Sequence, residues 1–206
     1  MRIFGFRIRV VETLISLNAL MFLFRMIFPT TAFTLFALQP ATVLAMPWTL
    51  VTSMFLHADL MHIFFNMMAL YFFGTYLENL EGERNLLKLY FIGGICGSIA
   101  YTASSLLFGV PNPESIAIGA SGAVFAIAGA LAVLQPNTKV VMLPLFIPMP
   151  LWIAVFGFMV LLSFMPGVAW QGHLGGLLIG VLYGYRWRKK VVEIVAVHEK
   201  YGYKFY

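Results

Sequence analysis

Six apolar runs, at residues 10–28, 60–80, 87–108, 118–134, 150–166 and 172–188, each come close to the length that crosses a bilayer as a helix. That length is about 20 residues, and the shorter runs fall slightly below it. Lipid offers no partner to a backbone N–H or C=O, so apolar runs separated by short loops are expected to form a helical bundle. Composition agrees: 61% of the 206 residues are hydrophobic and 10% are charged, where a soluble domain carries roughly 25% charged residues. The expected class is an all-α polytopic membrane protein, a six-transmembrane-helix bundle. A single transmembrane domain is expected over residues 1–190, followed by a short basic, aromatic cytoplasmic tail at 191–206. The first run exceeds the roughly 7–15 apolar residues of a signal peptide and has no convincing cleavage site after it, so it reads as a retained span.

Lys and Arg fall on alternate loops. Arg2, Arg7 and Arg9 precede the first run; Arg84 and Lys88 lie between the second and third, Lys139 between the fourth and fifth, and Arg186, Arg188, Lys189, Lys190, Lys200 and Lys204 at or beyond the end of the sixth. Loops 29–59, 109–117 and 167–171 contain neither residue. The positive-inside rule then places both termini in the cytoplasm. The net charge of +5 is accordingly a topological signal, and no nucleic-acid partner is implied. Arg25, near the outer end of the first run, is the exception and can snorkel to the interface. Loop 29–59 is too apolar for a solvated loop and is expected in the outer leaflet or against the bundle. The stretch at 143–150, with three prolines, is expected to be a bend into the fifth span.

In this orientation runs two, four and six all enter from the outer side, so their first residues share a depth. Run two opens with His62 and Asn66, run four with Ser121 and run six with His173. Serine is a poor nucleophile until a base takes its proton, and histidine is the usual base near neutral pH. Gly176, Gly180 and Gly184 repeat every four residues after His173, and Gly122, Ala126 and Ala130 do the same after Ser121. Two such stripes allow backbones to approach closely, which brings Ser121 and His173 together. His62 and Asn66, four residues apart, share a helix face and offer donors to an oxyanion. A packing glycine stripe with an incidental serine and histidine is the alternative reading of each segment taken alone.

No carboxylate lies at this depth within the runs, since Asp59 and Glu114 are in outer loops and Glu78 is at the inner end of run two. A Ser–His dyad is therefore expected, and neutral partners are cheaper to bury in lipid than a carboxylate. No metal or other cofactor is implied: His57 and His62 are five apart and no HExxH pattern occurs. A single cysteine, Cys96, excludes an internal disulfide.

These motifs, Gly119-Ala120-Ser121-Gly122, His57 through His62 to Asn66, and Gly172-His173-Leu174-Gly175-Gly176, resemble those of the rhomboid family of intramembrane serine proteases. The resemblance runs from Pro47-Trp48 to Gly184. It implies Ser121 as nucleophile, His173 as its base, and His62, Asn66 and the backbone of Gly119, Ala120 and Ser121 as the oxyanion-stabilising group. His57, Phe125, Gly122, Gly176 and Gly180 are implied in supporting positions, and Gly74, Glu78 and Gly82 in a structural pattern. Implied partners are the lipid bilayer and transmembrane protein substrates cleaved near the outer face. The expected location is a bacterial cytoplasmic membrane. Two departures stand out: Thr49 follows Trp48 where the family often has arginine, and Phe125 replaces a frequent tyrosine. The alternative function is a catalytically silent member that binds membrane proteins. A small transporter fits less well, because polar groups gather at one outer level and not along a path.

Overall fold

The computed structural model describes residues 2–3, 6–7, 9–142 and 146–201. Residues 143–145 of the proline-rich stretch and 202–206 of the expected tail lie outside the described residues. Two short strands, β1 (Arg2–Ile3) and β2 (Phe6–Arg7), pair antiparallel ahead of helix α1 (Val10–Ile27). The outer loop that follows holds α2 (Pro29–Phe36), a 3-10 turn at Pro40–Thr42 and the short α3 (Thr49–Thr52). The second rod is α4 (Leu60–Ala69), a π-helical turn at Leu70–Gly74 and α5 (Thr75–Glu81). Then come α6 (Glu83–Phe108), α7 (Ser121–Leu134), the strands β3 (Lys139–Met142) and β4 (Ile147–Pro150), α8 (Leu151–Ser163) and α9 (Trp170–Tyr201).

All six apolar runs are helical, and the chain is an all-α polytopic membrane bundle. Three rods, Val10–Ile27, Leu60–Glu81 and Glu83–Phe108, are long and apolar enough to cross a membrane by themselves, while Ser121–Leu134 and Leu151–Ser163 are shorter. At 1.5 Å per residue α7 reaches only about 21 Å of the ~30 Å hydrocarbon layer.

Local chemistry sets the helix ends. The Glu78 carboxylate accepts the Val11 N–H (3.1 Å) and pairs with Arg9 Nε (2.8 Å). A carboxylate from the second rod thus caps α1, where the helix dipole favours negative charge. Gly74 lets the same rod lie against α1, since a Cβ there would meet Val11 Cγ2 at 3.1 Å. Asp59 caps α4 by accepting the His62 N–H (2.8 Å). The fourth run starts its helix at Ser121, three residues later than expected, because Gly119 takes φ +119°, outside the helical region.

α7 is the centre of the bundle and is buried along nearly its whole length. The glycine stripe of α9 packs onto it. A Cβ on Gly176 would collide with the Gly122 carbonyl, one on Gly180 with the Ala126 carbonyl, and one on Gly184 would meet the Ala130 carbonyl at 2.8 Å. α6 closes the third side through Gly97, whose Cβ would lie 2.6 Å from the Gly172 carbonyl. Gly180→Ala is expected to force α7 and α9 apart at a cost of about 1–3 kcal/mol. A lowered thermal-unfolding midpoint in detergent checks this, with Gly157→Ala as control because nothing lies within 4 Å of a Cβ there.

The apolar outer loop is folded against the bundle. Ala32, Ala37 and Leu56 form a small buried cluster, Leu38 pairs with Ala117 as a β-bridge, and Ser98 Oγ of α6 donates to the Leu50 carbonyl (2.9 Å). Leu44 and Trp48 stay exposed on its far side. Thr49 is buried and bonds only locally, to the Met46 carbonyl at 2.7 Å. Trp48 Nε1 and Thr52 Oγ1 hold α3 to α2 instead, donating to the Leu35 and Phe36 carbonyls. The expected bend before the fifth span is an antiparallel hairpin, Lys139 paired with Pro150 through Met142 with Ile147. Pro148 and Pro150 fall on β4, where they do not interrupt a helix.

Candidate active site

Ser121 is the first residue of α7, His173 the fourth of α9 and His62 the third of α4. The helix stripes described above bring two of them into contact: Ser121 Oγ lies 2.7 Å from His173 Nε2. For Nε2 to accept the hydroxyl proton, the imidazole must carry its own proton at Nδ1. Nδ1 is buried and has no hydrogen-bond partner among the described residues. Among the described residues no side chain orients the ring through a hydrogen bond at Nδ1. Stacking holds it instead. Phe125, one helical turn below Ser121, lies 4.9 Å from the His173 ring centroid at 29°, and Phe158 of α8 stacks on Phe125 at 6.4 Å.

His62 faces this pair from α4. Its Nδ1 accepts the Ala58 N–H (3.3 Å), so its ring proton is at Nε2. Nε2 points at the notch left by Gly119: a Cβ there would meet His62 Nε2 at 2.8 Å and Ser121 Oγ at 3.8 Å. Only glycine serves at this position, both for the space and for its positive φ. Asn66, one turn along α4 and nearly buried, donates through Nδ2 to the His62 carbonyl (2.9 Å).

The amide groups around Ser121 divide unequally. Gly119 N–H donates to the Ser53 carbonyl (2.9 Å) and Ala120 N–H to His57 Nε2 (3.5 Å). Both are already engaged. Ser121 N–H opens α7 and belongs to the first-turn amides that a helix leaves without an internal partner. Near Ser121 Oγ this leaves the Ser121 N–H and His62 Nε2, Asn66 Nδ2 has one of its two N–H groups on the His62 carbonyl, and Gly119 and Ala120 hold the loop in place.

His57 is fully buried and 5.0 Å from His62, ring to ring. Burial is the main cause that pushes its pKa down to about 3, with the neighbouring His62 adding to it and the Phe55 carbonyl and Asp59 opposing. It is a neutral acceptor that pins the start of α7 to the loop. A free histidine titrates near 6.5, so between about pH 6.5 and pH 3 the unfolded chain binds this proton and the folded one does not. Stability is expected to fall as pH drops through that window. Thermal unfolding in detergent should show the slope, and His57→Gln should make it shallower by one proton.

Beside Ser121 a recess runs between α6, α7 and α9, lined in part by Ser53, Gly97, Ser98, Tyr101, Gly122 and Gly172. A hydroxyl in contact with an imidazole, a second histidine facing the same notch and an adjoining recess are thus gathered at the start of α7. Ser53, whose backbone carbonyl anchors Gly119, carried no signal in the sequence, because the bond uses no side chain.

The sequence matches the Rhomboid domain over residues 44–190. Among curated proteins it is similar to Rhomboid protein 1, mitochondrial, of Saccharomyces cerevisiae, at 30% identity over 69% of this chain and 42% of that protein. It resembles RHOMBOID-like protein 12, mitochondrial, of Arabidopsis thaliana, at 34% over 68% of this chain and 46% of that protein. Rhomboid protease GluP of Bacillus subtilis is 36% identical over 65% of this chain and 24% of its own length. The chain thus spans less than half the length of these relatives.

Proposed function

This chain belongs to the rhomboid family, and from that premise we propose that it is an intramembrane serine endopeptidase that cleaves transmembrane segments near the outer face. The observation that carries the reading is the 2.7 Å approach of Ser121 Oγ to His173 Nε2. In the proposed reaction His173 Nε2 takes the Ser121 proton as Oγ attacks the scissile carbonyl carbon. The carbonyl electron pair moves onto oxygen, where Ser121 N–H, His62 Nε2–H and Asn66 Nδ2 stabilise it. Collapse breaks the C–N bond, His173 returns the proton to the leaving amine, and an acyl ester remains on Ser121. Water then enters by the recess lined by Ser53, Ser98 and Tyr101 and loses a proton to His173 as it attacks the ester carbon; the C–Oγ bond breaks, Ser121 Oγ takes that proton back from His173, and the product acid leaves and ionises.

In this reading Ser121, the first residue of α7, lies near the outer end of its helix and within reach of outer water, which a hydrolase in lipid requires. Both termini are on the cytoplasmic side in this reading, and a bacterial cytoplasmic membrane is the proposed location. The substrate class is tested with purified protein in liposomes and a single-span helical peptide carrying small or helix-breaking residues near its outer end. Cleavage near that end supports the reading. An intact peptide, with a known rhomboid protease cleaving it in parallel, would favour a silent member that only binds membrane proteins.

A further inference from the structure

Arg25 lies near the outer end of α1, inside an apolar run, where a charge is costly and calls for a reason. Its guanidinium packs 5.8 Å from the Phe22 ring centroid and 5.4 Å from that of Phe33, which belongs to α2. Its Nη2 donates to the Ala58 carbonyl, and its Nε is buried without a partner among the described residues. A snorkelling arginine leaves its head in interfacial water. This one, half-buried, reaches onto the loop that carries His57 and leads into α4.

Ala58 is the residue whose N–H meets His62 Nδ1 (3.3 Å). Its other polar group, the carbonyl, is the one Arg25 holds. The backbone of a single residue therefore links the guanidinium to the imidazole, and Asp59, next in the chain, accepts the His62 N–H. We propose that Arg25 is a positioning residue for His62. By fixing the Ala58 carbonyl it aims the Ala58 N–H at Nδ1, which keeps the imidazole proton on Nε2, toward the Gly119 notch. Without that clamp the exposed Ala58 turn is free to rotate, and the His62 ring loses the bond that selects its tautomer. The proposal rests on the reading above, in which His62 donates to an oxyanion. A purely structural Arg25, complementing the C-terminal dipole of α1, acts on stability and not through His62.

Two readouts test it. The first is the cleavage kinetics of a single-span peptide in liposomes for the wild type, Arg25→Met, Arg25→Lys, His62→Ala and the double variant Arg25→Met with His62→Ala. Arg25→Met is expected to lower kcat on the order of tenfold, as a misplaced transition-state donor does, with KM within about twofold. Arg25→Lys, which keeps a cationic donor, should recover part of the loss. In the His62→Ala background Arg25→Met should change nothing further. A full additional loss there, or an effect confined to KM and the unfolding midpoint, would overturn the proposal. If Arg25→Met does not fold, Arg25→Gln takes its place in the same cycle.

The second readout is the imidazole nitrogen spectrum of histidine-15N-labelled protein in micelles, which does not depend on activity. His62 should show a protonated Nε2 in the wild type and a mixture of tautomers in Arg25→Met, and an unchanged pattern would sink the idea. An inactive wild type counts against the proteolytic reading, while the ring-nitrogen spectrum still decides Arg25.

Discussion

Ser121→Ala is expected to abolish peptide cleavage while leaving the bundle intact. Removing Oγ takes away the atom that His173 Nε2 contacts at 2.7 Å, and no other hydroxyl is placed against that nitrogen among the described residues. Loss of an activated nucleophile typically lowers kcat by about 10⁶. The helix should tolerate the change, because alanine is a better helix former than serine. The expected pattern is therefore an unfolding midpoint close to that of the wild type and cleavage at background level. Peptide cleavage assayed beside thermal unfolding in detergent separates the two effects.

His173→Ala should be as inactive as Ser121→Ala and, unlike it, less stable. Without the base, the Ser121 hydroxyl keeps its proton and is a weak nucleophile. Because the two side chains act as one unit, the double variant is expected to be no slower than either single one. The stability loss has a separate cause: the His173 ring fills the space over Phe125, which itself stacks on Phe158, and truncation opens a gap there costing about 2–4 kcal/mol. His173→Phe should restore much of that packing without restoring cleavage. A His173→Ala protein that still cleaves at a substantial rate would remove the base from the mechanism.

How much of this could be read from the chain depends on whether side chains or backbone make the contact. The apolar runs announced the helices of the bundle. The four-residue repeats of Gly176, Gly180 and Gly184 against Gly122, Ala126 and Ala130 are side-chain facts, and the α7–α9 contact follows them. Phe125, expected in a supporting position, stacks on the His173 ring. The amides were not. That Gly119 N–H goes to the Ser53 carbonyl and Ala120 N–H to His57 depends on how a loop closes over 60 or so residues of intervening chain, and a backbone bond leaves no residue signature. The same holds for the β3–β4 hairpin, whose prolines read as a bend because they obstruct helices, yet lie on an edge that tolerates them. Arg25 looked like an interfacial anchor because its partner, the Ala58 carbonyl, is likewise invisible in sequence.

Thr49 shows how a departure from the usual family pattern can be absorbed. It is buried against the Met46 carbonyl, and Trp48, Thr52 and Ser98 hold the outer loop in its place. Trp48 and Thr52 thus tie the loop to itself, Ser98 ties it to α6, and Arg25 of α1 ties the Ala58 turn between His57 and His62. What these ties protect is the relation between α4 and the start of α7, on which the proposed oxyanion donors depend.

The most direct test of the Ser121–His173 assignment is to react the purified protein in detergent with a serine-directed fluorophosphonate and locate the adduct by mass spectrometry. The account predicts one adduct, on Ser121, absent from both Ser121→Ala and His173→Ala. An adduct that persists in Ser121→Ala, or that maps to another serine while cleavage is lost, would contradict it.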